Sequence, residues 1–286
     1  MTKNAIRIVT DSTADLPRDF AAKHRVTIVP LRIHFPEGAN YLDGKELEAK
    51  DFYPLLLAAG DRLPKTSTPT QEDFRQAYGE ILAENPDCQI ISIHLSGALS
   101  GTINAAETAA REISPRIYTF DSRNISFGMG LQVMEAVRLI EAGAKAEKVL
   151  EYLTLVAAHT ETMFCLNTLE YLYKGGRIGK VTALFGSVLN IKPLIHVKDG
   201  VYESFGKVRS QRQAIQKMVD HGLKLLSDHT PLRLGVIHGA CESLAVILRE
   251  KVEAAYGKTV DNFAETGAVI GVHTGPGTLG LTLCYL

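Results

Sequence analysis

The feature that most constrains this chain is the alternation of strand and helix signals over its first 160 residues. Short apolar segments such as Ala5–Thr10 and Gln89–Leu95 are followed by segments whose apolar residues recur every three to four positions, as in Phe74–Leu82. Strands that alternate with helices predict a largely parallel sheet covered on both faces. We therefore predict an α/β fold for this half of the chain.

The pattern changes after about residue 160. Leu194–Val197 and Val201–Phe205 flank Lys198–Gly200, which is a strong hairpin signal. Further strands are predicted at Arg233–Ile237, Thr259–Phe263, Ala268–Val272 and Leu279–Tyr285, and helices at Val181–Leu189, Gln213–Leu226 and Glu242–Ala255. This mixture predicts an α+β second domain. We place the two domains at residues 1–160 and 161–286.

Charge and composition exclude several classes of protein. The 31 basic and 32 acidic residues leave a net charge of −1, so no overall field attracts nucleic acid. We find no signal peptide and no run of 18 apolar residues, and the four cysteines are far apart and expected to be buried free thiols. The nine histidines form no ligand motif. These features predict a cytoplasmic protein with no metal site and no nucleic-acid partner.

Polar side chains follow several predicted strands, and four loops are rich in serine, threonine and glycine. Asp11–Ser12, Ser96 and Asp121–Ser122 stand at the carboxyl ends of strands, where ligands of parallel sheets collect. The loops are Lys65–Pro69, Leu95–Thr102, Lys174–Lys180 and His273–Gly277. Hydroxyls and glycine amides can line a site for phosphate or carboxylate. The alternatives are plain turns, and a capping role for Thr66–Thr68 ahead of a helix at Thr70.

Ser96 and His273 also raise the hypothesis of a hydrolase. The sequence around Ser96 lacks the Gly-x-Ser-x-Gly elbow, and no acid is evidently placed to orient His273. Arg177, in a glycine-rich loop, is either a surface residue or a residue whose guanidinium binds a carboxylate or phosphate through two hydrogen bonds. His273, at the end of a predicted strand, is either part of a turn or part of a hydrogen-bond relay.

Taken together and in order, the motifs resemble those of the DegV family of bacterial fatty-acid-binding proteins. The resemblance extends from about residue 6 to residue 282. The matching segments are Thr10–Thr13, Lys65–Pro69, Leu99–Thr102, Asn167–Leu172, Gly175–Ile178, Lys192–Pro193, Lys207–Arg209 and Gly275–Gly280.

The resemblance implies a Rossmann-like N-terminal domain, an α+β C-terminal domain and a long-chain fatty acid, such as palmitate or oleate, in a tunnel between them. It also implies a separate ATP-binding fatty acid kinase subunit that phosphorylates the bound carboxylate for phospholipid synthesis. It implies no cofactor, and it leaves a transient membrane contact open. The candidate lining segments are Phe164–Leu166, Val181–Leu189 and Ile191–Ile195, for which ordinary core is the alternative.

Site residues are carried over by position. Thr66 matches the first carboxylate hydroxyl, with Ser67 beside it. Many members have two consecutive serines where this chain has Ser96 and Gly97, so this sequence offers the Gly97 amide or the Ser96 hydroxyl. Arg177 and His273 match residues beside the carboxylate, which would assist phosphoryl transfer without acting as nucleophiles. The rival hypotheses are a stand-alone phosphotransferase or hydrolase that uses Ser96 and His273, and a lipid-sensing regulatory module.

Overall fold

The computed structural model describes residues 6–184 and 191–286. Its strands are β1 (Ile6–Asp11), β2 (Thr27–Val29), β3 (Arg32–His34), β4 (Asn40–Leu42), β5 (Lys65–Ser67), β6 (Gln89–His94), β7 (Ile117–Asp121), β8 (Thr160–Cys165), β9 (Lys192–Lys198), β10 (Val201–Val208), β11 (Pro231–His238), β12 (Asn262–Glu265) and β13 (Leu279–Tyr285). Its α-helices are α1 (Phe20–Lys23), α2 (Ala49–Ala58), α3 (Gln71–Glu84), α4 (Thr102–Ile113), α5 (Ser126–Glu141), α6 (Ala146–Ala158), α7 (Glu170–Lys174), α8 (Gln211–Leu225), α9 (Glu242–Tyr256) and α10 (Ala268–Thr274).

A four-stranded parallel sheet in the order β2-β1-β6-β7 confirms the α/β prediction. Its alternating side chains enter two separate cores. Ile8 and Ile91 pack with apolar residues of α5 and α6 on one face, whereas Val9 and Ile90 pack with α3 and α4 on the other. Each strand is therefore apolar on both sides, as expected of a sheet covered by helices.

The β-rich segment Val26–Phe35 forms two strands, β2 and β3. Pro30, which has no N–H to donate, stands where β2 ends at the edge of the parallel sheet. After this break β3 enters a small antiparallel sheet with the order β4-β3-β5. The break thereby carries the chain from the parallel sheet to the strand that pairs with β5.

The second half of the chain contains a six-stranded mixed sheet in the order β10-β9-β8-β13-β11-β12. The predicted hairpin is present as β9 and β10, and its turn at Asp199–Gly200 has positive φ at both residues. Leu194 faces α8 and α9 on one side of the sheet, while Ile195 packs on the other side with Phe164. The two faces therefore serve different cores.

The prediction of a strand at Ala268–Val272 is wrong, because this segment forms helix α10. It is a short, fully buried apolar run, and periodicity cannot distinguish a strand from a helix in such a run. The carboxylates of Asp15 and Asp43 accept the first amides of the helix, from Gly267 (2.8 Å) and Ala268 (3.0 Å). These long-range caps favour the helix, and the local sequence does not reveal them.

Part of another predicted element lies outside the described residues. Of the predicted helix Val181–Leu189, the segment up to Leu184 belongs to a 3₁₀ helix at Gly179–Leu184, and residues 185–190 are not among those described. Across the ranges that are described, no helix has both the length and the apolar character that a membrane span needs.

Candidate functional site

Thr66 lies in the middle of β5, where it pairs with Ile33 of β3. Helix α3 is capped without it: the Thr70 side chain accepts from the Asp73 amide, and Asp73 accepts in return from the Thr70 backbone. Capping therefore does not account for Thr66. Its hydroxyl instead lies 2.8 Å from Nε2 of His273, a residue 207 positions further along the chain.

His273 occupies the last turn of α10, and its side chain is partly buried, with Nδ1 shielded from solvent. Nδ1 faces Gly175, so close that a Cβ built on this glycine would lie 2.3 Å from Nδ1. Within the described part of the chain, Nδ1 has no hydrogen-bond partner. Because a buried N–H without an acceptor is rare, we assign the proton to Nε2, which then donates to the Thr66 oxygen. The Thr66 hydroxyl proton is thereby left to donate to a ligand.

Burial, together with the nearby positive charge of Arg177, lowers the pKa of His273 to about 4. The ring is therefore neutral at neutral pH. This protonation state suits a residue that orients the hydroxyl of Thr66 by a hydrogen bond.

The depressed pKa predicts an acid-sensitive contribution to stability. The unfolded chain binds a proton on His273 below a pH of about 6.5, whereas the folded protein binds it only near pH 4. Above pH 6.5 His273 does not change the free energy of unfolding. As the pH falls from 6.5 to 4, protonation of His273 in the unfolded chain lowers the free energy of unfolding by up to about 3 kcal/mol. We expect lipid-free wild-type protein to lose about 2–3 kcal/mol more unfolding free energy than His273→Gln between pH 7 and 4.5. Equal losses, measured by urea unfolding, would contradict the assignment.

Arg177 follows α7 and its double glycine, and its guanidinium donates to the carbonyl of Gly175 at 2.8 Å. This bond fixes the side chain beside the same glycine that His273 contacts. Thr66, Arg177 and His273 all line one cleft of about 450 Å³. Among the described lining residues four are basic and one is acidic: Arg62, Lys65, Lys174, Arg177 and Asp61. The cleft therefore favours an anion.

An apolar cluster adjoins these residues. Ile178, next to Arg177, and Ile270, one turn before His273, belong to the same cluster as Phe164, Leu166 and Ile195. Three residues of the predicted tunnel lining therefore pack beside the polar residues of the cleft. The predicted lining residues Phe185, Val188 and Leu189 lie outside the described residues.

A hydroxyl–imidazole–carboxylate series, separate from the cleft, is buried in the parallel sheet. Asp11 lies 3.0 Å from His94, whose other ring nitrogen lies 2.7 Å from Ser92, and Tyr78 completes the series. All four side chains are fully buried. A substrate cannot reach Ser92, so we interpret this series as a satisfied polar network of the core.

Comparisons with known proteins cover nearly the whole chain. The family described as "Uncharacterised protein, DegV family" matches residues 5–286. The chain belongs to the DegV family. A DegV domain-containing protein from Deinococcus radiodurans is 37% identical over 281 residues, which span 98% of each chain.

Two solved structures are similar to this one. A DegV family protein from Thermus thermophilus, described by its fatty acid binding, has a TM-score of 0.91 at 36% identity, with 98% of this chain and 99% of that chain covered. A stearic-acid-binding protein from Eubacterium ventriosum has a TM-score of 0.90 at 27% identity, with 98% of both chains covered. The DegV fold and its association with fatty acids are thereby shown for the family.

The DegV fold brings together only some of the predicted site residues. Ser67 points away from Thr66, because side chains alternate along a strand, and its hydroxyl lies 2.8 Å from His34 Nε2. Ser96 donates to the Gly200 carbonyl at 2.7 Å, and the Gly97 amide donates to Asp121 at 3.2 Å. These hydrogen bonds join the loop after β6 to the end of β7, through Gly97, and to the β9–β10 turn, through Ser96. A role for these three residues in ligand binding stays a prediction.

The structure adds one residue that the sequence analysis missed. In the sequence Gly175 stands only within the glycine-rich loop and the segment that matches the family, yet in the structure it faces the His273 ring, and its carbonyl accepts from Arg177. The sequence signal that could have identified Gly175 is the presence of two consecutive glycines, Gly175 and Gly176, where one suffices to end the helix. Gly176 alone has the positive φ that ends the helix, so Gly175 needed another explanation.

Proposed function

We propose that this protein binds one long-chain fatty acid with its carboxylate at Thr66, His273 and Arg177, and presents it to a separate ATP-dependent kinase subunit. The observation that carries the proposal is the meeting of these three side chains in one basic cleft. The fatty-acid-binding relatives from Thermus thermophilus and Eubacterium ventriosum support it.

The apolar tail supplies most of the binding free energy. A C16 chain has about 14 methylenes, whose burial at about 0.8 kcal/mol each amounts to about 11 kcal/mol before ordering costs. The cluster that contains Phe164 and Ile195 is the described surface we propose for it, between the two predicted domains. The head group then has the task of fixing the position of the carboxylate.

The polar residues keep the carboxylate reactive. The Thr66 hydroxyl donates to one oxygen, and the Arg177 charge lowers the pKa of the bound acid, so that it stays ionised. A free carboxylate oxygen then attacks the γ-phosphorus of ATP held by the partner, the bond to ADP breaks, and an acyl phosphate forms. Phosphoryl transfer depends mainly on such positioning and on charge stabilisation. The sequence contains neither a Walker loop nor a dinucleotide fingerprint, which fits a nucleotide held by a partner.

The test is to express the protein in bacteria, extract it with organic solvent and identify the lipid by mass spectrometry. We expect about one fatty acid per chain, no ATP turnover by the protein alone, and acyl phosphate once a bacterial fatty acid kinase subunit is added. Turnover without a partner would favour the stand-alone enzyme. Lipid binding without acyl-phosphate formation would favour the regulatory module.

Thr66→Val is expected to weaken fatty acid retention by about 1–2 kcal/mol, or roughly 5–30-fold, because a buried donor is lost at similar volume. Thr154→Val is the matched control, since its hydroxyl is exposed on α6 and donates to the Leu150 carbonyl. We expect the control to stay within about twofold of wild type when fatty acid transfer to acceptor vesicles is measured. Equal retention by Thr66→Val and wild type would show that Thr66 does not hold the carboxylate.

A further inference from the structure

Three metal-ligand side chains meet at the sheet of the second half of the chain. Glu161 lies on β8, His196 on β9 and His221 on α8, so the sequence separates them by 35 and 25 residues. Glu161 Oε1 is 2.6 Å from His196 Nδ1 and 3.1 Å from His221 Nε2. One ligand atom from each residue lies within 4.8 Å of the others.

The cluster is separate from the proposed fatty acid site. His196 points to the same side of β9 as Leu194, which packs under α8, whereas Ile195 points to the opposite side. The apolar cluster beside Arg177 is on the Ile195 side. A ligand at Glu161 would therefore not touch the cleft.

The surroundings of the cluster suit a cation. The Glu161 carboxylate oxygen lies within hydrogen-bond distance of one nitrogen from each imidazole. Phe205 packs against both imidazoles, with ring centroids 5.5 Å from His196 and 4.9 Å from His221. The rings are thereby held near the carboxylate, and each side chain retains partial solvent exposure. An ion can reach them.

We propose that Glu161, His196 and His221 bind a divalent transition-metal ion, with Zn²⁺ as the best chemical match. Two imidazoles and one carboxylate form a common three-ligand set for Zn²⁺, in which water fills the fourth position. Imidazole donors disfavour Mg²⁺ and Ca²⁺, which prefer oxygen ligands. Binding requires the ligand atoms to separate to about 3.3 Å around the ion, since each metal–ligand bond is about 2.0–2.2 Å long.

Metal binding rearranges protons in a defined way. His196 Nδ1 and His221 Nε2 now contact the carboxylate oxygen, and each must present a lone pair to the ion. In a neutral imidazole the proton moves to the other ring nitrogen, and a charged imidazole releases one proton to solvent. The ion then bridges α8 to β8 and β9, so binding stabilises the folded protein.

The test is a thermal melt of the purified, chelator-treated full chain with and without Zn²⁺. A metal present at about 100 times its Kd is expected to raise Tm by on the order of 5 °C. His221→Asn and Glu161→Gln are expected to lose this rise, and Mg²⁺ is expected to have no effect on wild type. Titration of wild type with Co²⁺ should produce the visible absorption of a four-coordinate site.

The matched control is His229→Asn, which removes an exposed histidine that contacts His159 and Tyr285 rather than Glu161. It should keep the full Zn²⁺ response. A response that survives both His221→Asn and Glu161→Gln would overturn the proposal. The proposal would also be overturned if wild type showed neither a Tm shift with Zn²⁺ nor a Co²⁺ spectrum, whatever the variants do.

Discussion

Arg177→Ala is expected to reduce acyl-phosphate formation by about 10²–10³-fold in the presence of a fatty acid kinase subunit. The reason is that the guanidinium, fixed by the Gly175 carbonyl, supplies positive charge beside the carboxylate while the phosphoryl group is transferred. Fatty acid retention should fall only modestly, because the tail supplies most of the affinity. The measurement is a coupled assay with equal amounts of loaded protein.

The control for this prediction is Arg111→Ala. Arg111 is an exposed arginine on α4 that pairs with Glu107, so its loss removes the same charge away from the cleft. It should retain wild-type activity. Arg177→Lys separates charge from geometry, because lysine keeps the charge but lacks the planar fork. Wild-type rates for Arg177→Ala would exclude a role for this side chain in the transfer step.

Gly175→Ala is expected to weaken fatty acid retention by about 10–100-fold, because the new methyl group displaces His273 from Thr66. The added Cβ would lie 2.3 Å from His273 Nδ1 and 2.9 Å from the Tyr171 carbonyl. Either the His273 ring or the backbone at Tyr171 must therefore shift. We also expect a loss of about 1–3 kcal/mol in unfolding free energy from overpacking.

Two comparisons show whether His273 is the residue displaced. Gly79→Ala adds the same methyl group where nothing lies within 4 Å, so it should leave stability and retention unchanged or improve stability. In a His273→Ala background the clash with the ring is absent, and the stability cost of Gly175→Ala should shrink. An unchanged cost there would assign the strain to Tyr171 instead.

The sequence predicts much of the fold because its strands are strongly apolar and its helices strongly periodic. The parallel sheet follows from buried β-branched runs such as Ile6–Asp11 and Gln89–His94. The sequence predicts a strand where α10 forms because the caps of this helix, Asp15 and Asp43, are more than 200 residues away in the chain. Contacts of this range leave no local pattern.

The site likewise has a part that local sequence patterns indicate and a part that depends on contacts between distant residues. Hydroxyls, glycines and a basic residue mark the loops of Thr66, Arg177 and His273 as candidate anion sites, and the resemblance to the DegV family then selects these three residues. The contact of His273 with Gly175 could not be predicted from the sequence, since it depends on how α7 packs against α10. The Glu161, His196 and His221 cluster was missed for the same reason: two strands and a helix bring it together.

The measurement that tests the central claim most directly is a crystal structure of the protein with its bound fatty acid. The account predicts a carboxylate oxygen within hydrogen-bond distance of the Thr66 hydroxyl, with the Arg177 guanidinium beside it and His273 Nε2 still bonded to Thr66. A fatty acid whose carboxylate lies elsewhere, with Thr66 bonded only to His273, would contradict it.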